Sequence, residues 1–269
     1  LKNYVCLSIN IPENQQDELI ALFSNHEPEG FEQNNNELKV YFPESHFNQS
    51  EFLPFIQRYS YEIITLCPQN WNETWEKNFP MVTIEGICEI YASHHQPTFS
   101  QPYAIFIQPQ MSFGTGHHAT TQLMIKLIHA WDAQHKQILD MGAGTGILGI
   151  FALLKKAHSV TFMDIEPIAI ENIKENILRN QLPSQPVFCG DHIAISGEFD
   201  AIFANIQKNV LELHASTYYQ HLKKNGDLFL SGFFEKDEKN LLNLYLNLGF
   251  EFTNRLEENG WIALQLKKL

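Results

Sequence analysis

The chain has 269 residues, 44% hydrophobic and 18% charged, enough to bury one full core and a second, smaller one. A formal net charge of −13 opposes binding to a phosphate backbone and favours a basic partner, in the first instance a protein. No run of eighteen apolar residues suggests a membrane span, and Leu1–Asn10 lacks a basic flank leading into an apolar stretch, so a cytosolic location is expected.

In chain order, the apolar pattern predicts a strand over Tyr4–Ile11, a helix over Glu13–Asn25, a hairpin over Gly30–Phe42, a helix over Asn48–Tyr59 and a strand over Tyr61–Leu66. This is a small α+β unit of ferredoxin-like pattern occupying residues 1–68. It carries ten Asp or Glu against three Lys or Arg, the composition of a docking surface for something basic or of a solvated acidic face. Residues 69–80 are expected to form a linker helix in which Asn70 and Glu73 supply a capping-box start, Trp71, Trp75 and Phe79 share one face, and Pro80 ends it.

Residues 81–269 read as the larger domain. Strands are expected over Val82–Ser93 and Tyr103–Gln108. Further strands over Gln137–Met141, Ser159–Asp164, Pro186–Cys189, Asp200–Ala204 and Asp227–Gly232 alternate with helical stretches, which implies right-handed crossovers and a parallel sheet. Phe250–Arg255 and Trp261–Lys267, joined through Asn259-Gly260, make an antiparallel hairpin at the sheet edge. The cysteines Cys6, Cys67, Cys88 and Cys189 form no C-x-x-C pair, so reduced, mostly buried thiols are expected and no metal site is assigned. His94-His95 lacks a thiol or carboxylate at ligand spacing and reads as loop.

Three motifs carry chemistry. Ile138-Leu-Asp-Met-Gly-Ala-Gly-Thr-Gly-Ile147 runs an apolar strand through Gly142, Gly144 and Gly146 into a helix, and Asp164 ends the next strand, where a carboxylate can accept from both hydroxyls of a ribose. Together they specify an adenosine-containing ligand. Gly144-Thr-Gly-Ile-Leu-Gly149 also satisfies the dinucleotide pattern, so on these residues a methyl donor and a nicotinamide cofactor both stand, with Asp140 favouring the donor. Asp200-Ala-Ile-Phe-Ala-Asn205 is a buried strand ending in an amide that can accept an amine N–H and aim the nitrogen lone pair at an electrophilic methyl, or can merely cap a turn. Met111-Ser-Phe-Gly-Thr-Gly-His-His-Ala-Thr-Thr121 is a glycine loop feeding a helix, with Thr120 and Thr121 near the helix start.

The ordered recurrence of F-G-T-G-x-H-x-T-T, D-x-G-x-G-x-G, the following D-I and A-N-I resembles the bacterial ribosomal protein L-eleven (L11) methyltransferase family over nearly the whole chain, Trp71-Asn-Glu-Thr-Trp-Glu-Lys-Asn-Phe79 matching the family's linker helix. The resemblance implies a Rossmann-like, doubly wound α/β sheet of the class I methyltransferase type and S-adenosylmethionine as cofactor. It also implies ribosomal protein L11 as the partner and a leading domain that binds it. The family's cofactor positions fall on Thr121, Gly142, Asp164 and Asn205, and Phe113, Gly114, Gly144 and Gly146 complete the expected set, with Asn205 orienting the amine. Two departures are His117 and Ala119, where many members have Thr and Pro, and Gln207-Lys208-Asn209 after the Asn-Ile pair.

A lysine amine (pKa about 10.4) or an α-amine (about 7.7–8.0) must lose a proton before attack. Water can take it, or His117 or His118 can act as base. A glutamine or adenine amino group is the alternative target, but relatives of that kind carry Asn-Pro-Pro-Tyr, and Asn205 is followed here by Ile206-Gln207-Lys208. Nothing in the pattern demands more than a monomer.

Overall fold

The computed structural model describes residues 4–66, 80–108 and 114–269, in two compact units, Leu1–Trp71 and Asn72–Leu269. The expected linker helix, Trp71 and Trp75, Cys67 and Phe113 lie outside the described residues.

The first unit runs β1 (Tyr4–Asn10), α1 (Glu13–Phe23), β2 (Gly30–Asn34), β3 (Glu37–Pro43), α2 (Gln49–Ile56) and β4 (Ser60–Leu66). Its sheet has the order β2-β3-β1-β4 with every neighbour antiparallel. Successive side chains of a strand face opposite sides, so Leu7 and Ile9 of β1 and Leu38, Val40 and Phe42 of β3 share one face. That face buries Leu19 and Phe23 of α1 and Phe52 and Ile56 of α2. Asn48 caps α2 by accepting from Ser50 N at 3.3 Å, and the helix stops at Ile56, short of the expected Tyr59. The end of the α1 prediction becomes a separate 3-10 turn, Ser24–His26.

The second unit contains a small sheet of β5 (Val82–Ile84), β6 (Cys88–Tyr91) and β7 (Tyr103–Phe106). A single strand over 82–93 was expected. Gly86, at φ +72°, instead turns the chain so that β5 and β6 pair antiparallel. Then follow α3 (Ala119–Ala130), β8 (Gln137–Met141), α4 (Ile147–Leu154), β9 (Ser159–Asp164), α5 (Pro167–Arg179), β10 (Val187–Cys189) and β11 (Phe199–Asn205). The chain closes with α6 (Lys208–His221), β12 (Leu222–Phe234), α7 (Glu235–Asn247), β13 (Phe250–Glu258) and β14 (Trp261–Lys268).

The main sheet has the order β10-β9-β8-β11-β12-β14-β13, parallel through β12, with the antiparallel β13–β14 hairpin at one edge. Strands β8 and β11 are neighbours, so the order reverses between them and a crevice opens at their carboxyl ends. Apolar cores cover both faces, Ile125, Phe151, Phe162 and Ile173 on one and Leu139, Ile202, Tyr218 and Tyr245 on the other. Two-sided burial is why these strands read as continuous apolar runs. Of the described cysteines Cys6 and Cys88 are buried, but Cys189 is exposed, at the end of the three-residue edge strand β10.

Lys155, just past α4, donates to the carbonyls of Ile128 and His129 at 2.6 Å and to that of Trp131. One ammonium thereby satisfies the orphan acceptors at the C-terminal end of α3. Trp131 Nε1 in turn donates to Asp227 Oδ2 at 3.0 Å. The helix that begins at the crevice is thus tied at its far end to both α4 and β12.

Candidate active site

The crevice is built from the end of β8 outward. Gly142 N and Ala143 N donate to Met163 O at 2.9 and 3.1 Å, which folds the glycine loop across the end of β9. Gly142 has φ +66°, and a Cβ there would stand 2.3 Å from Ile206 Cγ2, so the loop passes against the residue after Asn205 with no room for a side chain. Gly149 serves differently: a Cβ would lie 2.3 Å from Phe162, so its role is close approach of α4 to β9.

Asp164 ends β9 with a buried carboxylate. Oδ2 accepts from Gly144 N at 2.8 Å and Oδ1 from Glu166 N at 3.0 Å. Each oxygen keeps a further lone pair, so the group is fixed in orientation and still able to accept. Asp140 lies deeper, its Oδ2 accepting from Gly149 N at 2.9 Å. Burial pushes its carboxyl up to about 7, the Gly149 N–H opposing and Asp164 adding to the shift.

The second glycine loop reaches the same rim. Thr145 Oγ1 donates to Gly114 O at 2.6 Å, which joins this loop to the glycine loop, and Asn176 Nδ2 donates to Thr145 O at 2.9 Å. His118 caps α3, its Nδ1 accepting from Thr120 N at 3.3 Å and standing 2.8 Å from Thr120 Oγ1. Capping therefore occupies Thr120, and Thr121, 2% exposed, turns its hydroxyl toward Asn205, with Oγ1 at 3.5 Å from Nδ2. Burial holds the His117 imidazole below its ordinary value, which favours the neutral ring.

Of the residues singled out from sequence, Gly114, Thr121, Gly142, Gly144, Gly146, Asp164 and Asn205 are all joined, directly or through one neighbour, at this rim. Sequence reasoning missed one wall. Ile165, Cys189, Gly190, Asp191, Ile193 and Ala194 line a cleft of about 460 Å³ at the carboxyl ends of β9 and β10. Ile165 and Ile193 are 65% and 81% exposed, while Asp191 Oδ1 holds the turn by accepting from Ile193 N at 3.0 Å. The available signal was an isoleucine directly after the strand-end Asp164 and a Gly190-Asp191 pair directly after β10.

The whole chain, residues 1–269, matches the family model described as ribosomal protein L11 methyltransferase (PrmA). The ribosomal protein L11 methyltransferase of Phocaeicola vulgatus is 38% identical over 211 residues, 77% of this chain and 75% of that protein. That of Porphyromonas gingivalis is 37% identical over 247 residues, 88% and 85% of the two chains. Among solved structures, the ribosomal protein L11 methylase of Lactobacillus delbrueckii subsp. bulgaricus matches with a TM-score of 0.66 at 25% identity, covering 71% of this chain and 100% of that one.

Proposed function

The chain belongs to the ribosomal protein L11 methyltransferase family, and from that premise we propose that it transfers methyl groups from S-adenosylmethionine to amino groups of ribosomal protein L11 at the β8–β11 crevice. The observation that carries the proposal is the convergence of a clamped Asp164, a side-chain-free Gly142 and the Thr121–Asn205 pair on one rim.

The residues present fit the cofactor. Asp164 offers its unused lone pairs to the ribose hydroxyls, Gly142 and Gly144 let the backbone approach, Gly146 lets the same turn pack against Phe162 and Ile173, and Gly114 positions the covering loop. Ile165 and Ile193 supply apolar faces for a flat ring, with Asp191 beside them to accept from an exocyclic amine. Exposed isoleucines flanking a cleft are otherwise unfavourable in water, and covering them is worth about 1.5–3 kcal/mol for each side chain fully buried. Bound there, S-adenosylmethionine supplies a methyl group on a positively charged sulfur.

The chain's own contribution is then positioning. Thr121 Oγ1 lies within reach of Asn205 Nδ2, which orients the amide and leaves Oδ1 to accept an amine N–H. The amine is neutral when it attacks, its proton having gone to water beforehand. His118 is engaged in capping through Nδ1, and no proton is routed through it. A planar glutamine or adenine target is less well served, because Asn205 is followed by Ile206-Gln207-Lys208 and not by the Pro-Pro-Tyr expected of enzymes that act on such groups. The acidic leading domain, residues 1–68, recruits the basic substrate, and the enzyme works as a cytosolic monomer without binding nucleic acid directly. Among the described residues no helix is long and apolar enough to cross a membrane.

Intact-mass analysis of unmethylated L11 after incubation with enzyme and S-adenosylmethionine tests this. Mass gains in methyl steps that Asn205→Ala abolishes are expected. An unchanged mass with wild-type enzyme that binds the cofactor sinks the substrate assignment.

A further inference from the structure

At the carboxyl end of β12 the ladder with β14 shifts register between Ser231 and Phe233, at Gly232. Gly232 has φ +98°, and a Cβ there would meet Ile206 O at 2.2 Å, so the irregularity sits directly against the turn that follows Asn205. Such bulges re-aim the side chains beyond them. Phe233 is 2% exposed, but Phe234, the next residue, is 42% exposed and paired across the ladder with Trp261. The two rings stack, centroids 3.8 Å apart at 28°, and the His118 ring meets Trp261 edge-on at 4.7 Å. An aromatic surface is thus tied to Asn205 from two sides, through Gly232 and Ile206 on one and through the His118–Thr121 turn on the other.

The charges around it indicate an occupant. Lys236 Nζ stands 5.8 Å from the Phe234 ring centroid, within cation–π distance, so this ring already takes part in a contact with a primary ammonium. Glu235, its side chain 68% exposed, directly follows Phe234 in an acidic first turn of α7 that also holds Asp237 and Glu238. Lys208 and Arg255 engage Asp237 and Glu238 at 3.0 and 2.9 Å, while Arg255 approaches Glu235 only to 3.8 Å. An aromatic surface next to an acidic helix start suits a cation on an aliphatic stem, which packs its methylenes on the ring and sets its charge over the π-system.

Resting on the assignment of an amine-directed methyltransferase, we propose that Phe234 and Trp261, edged by His118, form the wall along which the substrate's lysine side chain lies on its way to Asn205. The wall positions the substrate and takes no part in binding the cofactor. Because a methylated ammonium is still a cation, the same wall serves each successive transfer.

Steady-state methylation of purified L11 by wild type, Phe234→Ala, Phe234→Leu, Phe234→Tyr and Trp261→Phe, with S-adenosylmethionine affinity measured by calorimetry on each, tests the proposal. For Phe234→Ala, KM for L11 rises about tenfold. Phe234→Tyr, which keeps the aromatic face, recovers most of that loss, Trp261→Phe raises KM less than Phe234→Ala does, Phe234→Leu remains as weak as Ala, and cofactor affinity is unchanged throughout. Full recovery by Leu would show apolar cover in place of cation recognition and overturn the proposal, as would an unchanged KM in Phe234→Ala or a parallel loss of cofactor affinity. Wild type that leaves L11 unmodified removes the substrate reading and the wall with it. Wild type that methylates L11 while Phe234→Ala matches it removes the wall alone.

Discussion

Gly142→Ala is the sharpest probe of the crevice because its cost has two separable parts. Alanine at φ +66° pays the left-handed penalty of about 1–2 kcal/mol, about five- to thirtyfold in an equilibrium constant. The added methyl also meets Ile206 Cγ2 at 2.3 Å, well inside contact distance, so Ile206 must move or the loop must abandon its bonds to Met163 O. Either response disturbs Asn205 or the cofactor cradle, and S-adenosylmethionine affinity by calorimetry should fall by about a hundredfold, the backbone penalty plus about 1–2 kcal/mol of overpacking. Ile206→Ala in the same chain removes the obstructing methyl. The double variant should recover the steric part and retain only the backbone penalty, a coupling the double-mutant cycle reads directly. Wild-type affinity in Gly142→Ala, or additive losses in the double variant, would refute the claimed contact between the glycine loop and the Asn205 turn.

Three further outcomes follow from the same geometry. Asp164→Asn keeps the shape but loses a charged acceptor, so cofactor affinity should drop by about 1.5–3 kcal/mol in calorimetry, with far-UV circular dichroism unchanged. Lys155→Met leaves the carbonyls of Ile128, His129 and Trp131 without their shared donor, and urea unfolding should show a loss of about 1–3 kcal/mol. Glu89 is held down to about 2, first by the Ser100 and Thr98 hydroxyls and, against the cost of burial, by the backbone N–H groups of Ser100 and Phe99. With the folded value depressed, its stabilisation is fully present above the unfolded value near 4.5 and is lost as pH falls toward 2. The Tm gap between wild type and Glu89→Gln, followed by scanning calorimetry, should therefore narrow from pH 6 to pH 3, and a constant gap would contradict this account.

The parts of the site visible before folding are those that local pattern encodes. Gly142, Gly144 and Gly146 between an apolar strand and a helix, Asp164 at a strand end and Asn205 at another are written in short windows, because a parallel strand buried on both faces must read as an apolar run and its exit turn must accommodate the backbone. The same locality misled where one window held two elements. Val82–Ser93 looks like one strand because β-propensity does not register that Gly86 has φ +72°.

What sequence determined is the set of strand ends and glycine turns, and through their order the family, since these depend on spacing within a few residues. Only the tertiary structure decided which ends meet. Ile206 against Gly142, Thr121 beside Asn205, the Ile165–Asp191–Ile193 cleft, and His118, Phe234 and Trp261 in one aromatic surface all join segments that are distant along the chain. Their juxtaposition is set by strand order and by the bulge at Gly232, and side-chain periodicity within any one segment carries no information about the crossovers that bring another segment beside it.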